Sequence, residues 1–378
     1  MKVDILNILL KSHRISKHEF SKYAKLMKED PIGFILNEED PDVAKRKNIV
    51  KSIMQILYQF DNHVIEKPEF DHINMIFLGV AAGGYAVCQG SRTGGFIVNV
   101  GDKRLHVDPG ISAVKDCRDY TRCSNLILHP VLTDALLVTH HHIDHAGGVE
   151  EYLENWLPFR LKKVVIANRT VIEGNFAFEQ GPRLDKYKKA AIKTYTLKQG
   201  DRVSLDNINV RATRAVHVEA FDPVTKNTAN NCIGFVIETP FGVIGVTGDS
   251  EYYEAITNEF ADVDYLIAYV VQERSRVEAE RYSSVEIRSK VHHTQFLGEI
   301  GVEKLLKEVK PKICFLTHYG DQFATLENGK LIYKDIPIAI AKRIQNNTGV
   351  KTIACLCGMS ISIKRRVDVT TNFSYFYS

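Results

Sequence analysis

Residues 133–145 read Thr-Asp-Ala-Leu-Leu-Val-Thr-His-His-His-Ile-Asp-His, and this stretch decides how the rest of the chain is read. Ala135, Leu136, Leu137 and Val138 form an apolar run of strand length, the pattern of a buried β-strand. His140, His142, Asp144 and His145 follow at once, then Gly147 and Gly148, then a helically spaced stretch. Histidine and aspartate favour neither strands nor cores, and burying so many unpaired polar groups beside a sheet is costly. A metal ion reverses that balance. Imidazole nitrogen and carboxylate oxygen are good ligands for zinc and similar ions, and the alternating spacing lets one turn supply two ions.

Outward from this run the same kind of signal recurs. His217 lies in Arg-Ala-Val-His-Val, Asp249 in Val-Thr-Gly-Asp-Ser and His318 in Phe-Leu-Thr-His-Tyr-Gly, each after a short apolar or β-branched run. Upstream stands Leu105-His106-Val107-Asp108-Pro109-Gly110. In this order the motifs resemble the signature of the metallo-β-lactamase superfamily, over residues 73–360. The resemblance implies an α/β fold, an αββα sandwich of two mixed sheets with helices outside. It also implies two divalent ions about 3.5–4 Å apart. One would take His140, His142 and His217, the other Asp144, His145 and His318, with Asp249 bridging. Zinc is the default from the His-rich set, while manganese or iron suits the same mixed donors. Such a pair supplies a metal-bridged hydroxide near neutral pH, which Asp144 would also orient. His141 lies between ligands, points the other way and is read as a non-ligand.

A phosphodiesterase branch of that superfamily carries a Phe-Leu-Gly loop and a downstream Arg beside its metals. Here Phe77-Leu78-Gly79 precedes Arg92-Thr93-Gly94-Gly95, so Arg92 and Thr93 are expected to bind substrate. His292-His293-Thr294 is similar to the His-Ser-Thr segment of the tRNA 3′-processing endonucleases. Either His292 or His293 would then be the general acid, a role suited to a pKa near neutrality. The chain departs from that branch where Ala268-Tyr269-Val270-Val271 replaces its His-Glu-Ala-Thr segment, leaving Glu273 as a substitute carboxylate. It also shows no long Gly/Pro-rich arm for gripping tRNA. The expected function is phosphodiester hydrolysis on a nucleotide, cyclic ones included, or on RNA. Two other readings stand beside it: hydrolysis of a carboxylic ester, thioester or lactone, and a binding or regulatory protein with a vestigial metal site.

The remaining sequence sets the frame. A chain of 378 residues with 44% hydrophobic and 25% charged residues suits a soluble globular protein with one large domain and an accessory segment. Residues 1–70 read as a helical N-terminal extension. Ser16 with Glu19 has the form of a capping box, and Val43, Ile49, Val50, Ile53, Ile56, Leu57 and Phe60 recur at helical spacing. The hydrolase domain is expected over residues 71–378, and dimerisation is allowed by the resemblance. A net charge of +3 permits a phosphate-containing substrate without demanding one. Seven scattered cysteines do not form a disulfide framework, and Cys117 and Cys123 are read as bracketing a charged loop. No signal peptide or 18-residue apolar run is visible, so no membrane association is expected and the chain reads as cytoplasmic.

Overall fold

The computed structural model describes residues 2–3, 65–124, 126–157, 162–174, 192–221, 228–229, 231–272, 296–327, 329–364 and 366–371. Two β-sheets face each other. The first has eight strands, here β1 (Phe70–Phe77), β2 (Phe96–Gly101), β3 (Lys103–Val107), β4 (Ala135–Val138), β5 (Lys163–Ala167), β6 (Ile192–Thr196), β14 (Met359–Ile363) and β15 (Val367–Thr371). Their spatial order is β15-β14-β1-β2-β3-β4-β5-β6. The second has seven: β7 (Arg202–Leu205), β8 (Ile208–Arg214), β9 (Ile233–Thr239), β10 (Gly242–Val246), β11 (Tyr265–Val271), β12 (Ile313–Tyr319) and β13 (Thr352–Ala354). These run in the order β13-β12-β11-β10-β9-β8-β7. Each sheet is antiparallel on one side and parallel on the other: β3-β4-β5-β6 and β10-β11-β12-β13 are the parallel runs.

The burial pattern explains the layering. Parallel strands covered on both faces are continuously apolar, and every residue of β4 and of β11 is buried. Within β4 the faces alternate: Ala135 and Leu137 join the core between the sheets, while Leu136 and Val138 face outward. Onto that outer face packs α4 (Val149–Trp156), with Val149, Tyr152, Leu153 and Trp156 all buried. That matches the helix expected after the metal run. On the outside of the second sheet, α7 (Gly298–Val309) packs on β11, and α8 (Asp335–Thr348) packs on β12, β13 and α7. The result is the expected αββα sandwich.

Three features depart from the sequence reading. The segment with Cys117 and Cys123 is a helix, α2 (Ala113–Cys123), and not a loop. The Cys117 thiol is buried 3.4 Å from the Tyr152 hydroxyl. Within the glycine-rich stretch 79–95 lies a short helix, α1 (Gly83–Cys88). Strands β14 and β15 complete the first sheet and carry no expectation from sequence. Of residues 1–70, the structure describes a two-residue antiparallel pairing of Lys2–Val3 with Ile65–Glu66 and the lead-in to β1. The helices expected there lie outside the described residues.

Candidate metal centre

All the candidate ligands gather where strands of both sheets end, the side on which open α/β sheets bind ligands. His140, His142, Asp144 and His145 follow β4, His217 follows β8, Asp249 follows β10, and His318 is the penultimate residue of β12. The backbone is unusual at this rim. Asp108 (φ 48°), Val271 (φ 50°) and His318 (φ 58°) adopt the left-handed region, which costs L-residues energy and clusters at functional sites. Two glycines make the assembly possible. Gly248 has φ 60°, and a Cβ on it would lie 2.8 Å from the Ile233 carbonyl. At Gly110 a Cβ would fall 2.1 Å from the Thr93 carbonyl oxygen and 2.2 Å from that of Asp144, where three site loops meet.

Two clusters result. His140 Nε2 lies 2.9 Å from His142 Nδ1, which is 3.2 Å from His217 Nε2. In the second, His318 Nε2 and His145 Nε2 are 3.4 and 3.6 Å from Asp144 Oδ2. Asp249 stands between the clusters. Its Oδ1 is 3.4 Å from His318 Nε2, while its Oδ2 is 3.4 Å from His145 Nε2, 3.9 Å from His217 Nε2 and 4.0 Å from His140 Nε2. Sequence reasoning therefore selected seven residues that the fold does bring together.

The hydrogen bonds on the outer side of the rings decide what faces inward. His142 Nε2 donates to the Glu219 carbonyl oxygen at 2.7 Å, leaving the Nδ1 lone pair toward the cluster. His145 Nδ1 donates to Asp108 Oδ2 at 3.0 Å, leaving Nε2 inward. Thr139 Oγ1, which donates to Asp108 at 2.9 Å, accepts from His140 Nδ1 at 3.0 Å. Lone pairs thus converge, a repulsive arrangement that a cation relieves. Buried His145 Nε2, His318 Nε2 and Asp249 Oδ1 have no hydrogen-bond partner among the described residues, and such groups are costly to leave unmatched. The donor set fits divalent metal.

Asp144, Asp249, His140 and His142 carry the charge states that ligation needs. The facing carboxylates, by contrast, hold His145 well above and His318 above the ordinary value against burial, so an ion bound there displaces protons. Burial alone would push the Asp144 and Asp249 carboxyls up, but the facing His145 and His318 hold both well below the usual range. Burial, reinforced by neighbouring imidazoles, drives His140 well below its ordinary value, and burial also lowers His142. Neutral imidazole and ionised carboxylate are the forms that bind metal.

Further residues support the site; of these, sequence marked Asp108 within the Val-Asp-Pro-Gly motif and His141 as a non-ligand, while Tyr269, Gly83 and Glu219 carried no expected role there. Asp108 accepts from Thr139 N (2.7 Å), Thr139 Oγ1 (2.9 Å), His145 Nδ1 (3.0 Å) and the Tyr269 hydroxyl (2.8 Å). Tyr269, in the segment that departs from the endonuclease pattern, lies over the His318 ring with centroids 4.9 Å apart. Gly83 N donates to Asp144 Oδ2 at 2.5 Å. His141 turns its Nδ1 toward Glu219 Oε1, 3.5 Å away. A cavity of about 750 Å³ opens over the centre. Its lining includes His142, Asp144, His217 and Asp249, and an apolar wall of Tyr85, Ile111, Ile143 and Phe296.

Arg92 and Thr93 are not part of that lining. The Arg92 guanidinium donates from Nη1 to Asp116 Oδ1 (2.6 Å) and Asp119 Oδ2 (2.9 Å), turned toward α2. Thr93 is 1% exposed, with its backbone N–H on Ser112 Oγ at 2.8 Å. The physical reason is the buried Asp116, whose carboxylate draws the cation to it. His292, His293 and Glu273 lie outside the described residues.

A family model for the beta-lactamase superfamily domain matches residues 103–319, more than half of the chain, and the chain belongs to this superfamily, as a metallo-β-lactamase-fold hydrolase. An uncharacterized protein of Methanocaldococcus jannaschii is 27% identical over 296 residues, covering 77% of this chain and 95% of that one. A protein of Thermoplasma volcanium named as a metal-dependent hydrolase is 25% identical over 207 residues, 55% of this chain and 74% of its own. The metallo-β-lactamase-fold protein YhfI from Bacillus subtilis shares the fold, with a TM-score of 0.57 at 14% identity over 78% of this chain and 100% of that one. Among the described residues no helix is long and apolar enough to cross a membrane.

Proposed function

We propose that the chain is a dinuclear phosphodiesterase acting on a nucleotide, cyclic ones included, or on RNA. The observation that carries the reading is Asp249, which stands between the clusters: Oδ1 lies toward His318 of one, and Oδ2 toward His145 of that cluster and toward His217 and His140 of the other. His140, His142 and His217 would hold one ion, Asp144, His145 and His318 the other, with Asp249 between. A divalent pair held there would acidify a water and offset the negative charge that builds on the phosphoryl oxygens. The chain's own residues do the rest. Asp144, fixed by Gly83 N–H, orients the attacking water, and Asp108 and the Glu219 carbonyl fix the tautomers of His145 and His142. The apolar wall of Tyr85, Ile111, Ile143 and Phe296 takes the base or another apolar part of the diester and keeps bulk water from it. Seven free cysteines support a reducing, cytoplasmic setting.

A carboxylic ester, thioester or lactone is the second reading, and one observation favours it. Arg92 faces Asp116 and Asp119, and the described cavity lining contains no Lys or Arg to hold a phosphate. The full donor set counts against a vestigial site in a binding protein. Elemental analysis of the purified protein decides between these when paired with hydrolysis of bis(p-nitrophenyl) phosphate and of p-nitrophenyl acetate. An Asp144→Ala, His145→Ala double variant is the control. About two metal equivalents and diester cleavage lost in the variant support the proposal. Two equivalents with ester cleavage alone move the assignment to the second reading, and a protein that binds no metal overturns both.

A further inference from the structure

We infer that Glu219 is the positioning residue that ties together the three ligands of the His140–His142–His217 cluster. The inference rests on the proposal that these three hold one ion. Glu219 is a carboxylate only 3% exposed, far too buried to be an ordinary surface acid, and it lies two residues beyond His217. Carboxylates buried this deeply are stable only when their oxygens are matched by donors.

Its partners come from three separate parts of the chain. Oε1 accepts from Asn168 Nδ2 at 2.5 Å and from the His141 backbone N–H at 3.3 Å, with His141 Nδ1 at 3.5 Å. Oε2 accepts from Thr170 Oγ1 at 2.9 Å and from Asn231 N at 3.3 Å. Asn168 and Thr170 belong to the start of α5 (Arg169–Glu173), where Asn168 Oδ1 also caps the helix by accepting from Val171 N. Asn231 leads into β9. The side chain therefore grips His141, the residue between ligands His140 and His142, and anchors it to rigid elements of both sheets. The Glu219 main chain adds a second grip, its carbonyl accepting from His142 Nε2 at 2.7 Å. One residue thus fixes the loop of His140 and His142, the tautomer of His142, and the chain position of His217. None of these contacts reaches Asp144, His145 or His318; His145 is supported instead by Asp108, and Asp144 by Gly83.

The consequence is selectivity between the two ion sites. Partners of this kind typically change metal affinity 10–100-fold when removed. The test is zinc titration of the chelator-stripped full chain in competition with a chromophoric chelator, with circular dichroism recorded on each sample. Wild type should take up two equivalents. Glu219→Ala should keep one at wild-type affinity and bind the other at least about tenfold more weakly, with occupancy restored at higher zinc. Glu219→Gln, which retains the shape and one acceptor oxygen, should recover part of the loss. In a His217→Ala background, Glu219→Ala should weaken nothing further, whereas in His318→Ala it should still act. Equal weakening of both equivalents, or no weakening, in a folded Glu219→Ala protein overturns the inference. Should that variant fail to fold, Thr170→Val removes a single donor and must give a smaller loss confined to the same equivalent. A wild-type chain that binds no zinc removes the two-ion reading itself, and the wild-type titration alone reveals that.

Discussion

Asp108→Asn is the substitution whose effect the structure specifies most fully. Three hydroxyl or imidazole donors meet on one oxygen, Oδ2: Thr139 Oγ1, Tyr269 OH and His145 Nδ1. Oδ1 receives the Thr139 backbone N–H. An asparagine can keep its carbonyl on Thr139 N, which places its NH₂ where the three donors were. The two hydroxyls can rotate to accept. His145 cannot: to accept at Nδ1 it must move its proton to Nε2, the atom 3.4 Å from Asp249 Oδ2 that would bind the ion. Either the hydrogen bond or the ligand is lost. A hydrogen bond to a charged group is worth about 1.5–3 kcal/mol, and at about 1.4 kcal/mol per decade this is about 10–100-fold in metal affinity. Competition titration with zinc should show one equivalent weakened by that factor, the one held by His145. Tyr269→Phe removes one donor, leaves the His145 tautomer intact, and should weaken the same equivalent less than Asp108→Asn does. Asp108→Asn binding two equivalents at wild-type affinity would refute the tautomer argument.

Two further outcomes follow from groups outside the centre. Arg92→Ala strips the cation from buried Asp116, a loss of about 3 kcal/mol for a mostly buried pair; denaturant unfolding should register it, while KM for a small diester stays within about twofold, since Arg92 does not line the cavity. Burial depresses His129 from its ordinary 6.5 to about 3, and its Nδ1 must be unprotonated to accept the Val131 N–H at 3.1 Å. Its contribution is therefore complete above pH 6.5 and lost as pH falls toward 3, by about 1.4 kcal/mol per pH unit. His129→Asn keeps an acceptor and should remove that part of the slope in unfolding measured from pH 7 to 4. An unchanged slope would mean that His129 is protonated equally in the folded and unfolded chain.

How much was legible from sequence depended on whether the signal was local. Ala135–Val138 and Tyr265–Val271 are apolar throughout because they are covered on both faces, and each ligand stands out as a polar residue at the end of such a run. Helix α2 did not stand out, since it buries Asp116 and Asp119, two charges that break an apolar periodicity and make sense only once Arg92 is placed against them. The same ion pairs defeat the expectation for Arg92: the motif's spacing was visible, but the direction of its side chain depends on a helix that was not. Glu219 is the limiting case. Nothing in its neighbourhood in sequence marks it, because its partners are brought from residues 141, 168, 170 and 231. Asp108 sat in a recognisable Val-Asp-Pro-Gly turn, yet its role needs Tyr269, 161 positions away.

The placement of support also says why this fold can hold so many unmatched polar atoms. The first sheet contributes His140, His142, Asp144 and His145, the second His217, Asp249 and His318, so the centre lies on the seam between them. Asp108 of the first sheet and Tyr269 of the second meet in a hydrogen bond directly behind His145. Glu219 links the β4 and β8 loops in the same manner on the other side. Ligand geometry is thereby set by the packing of two rigid sheets, with the left-handed φ of Asp108, Val271 and His318 as the local cost. A loop carrying the same residues could relax, letting the imidazoles find other partners. A seam fixed from both sides cannot, and the converging lone pairs are left available for cations.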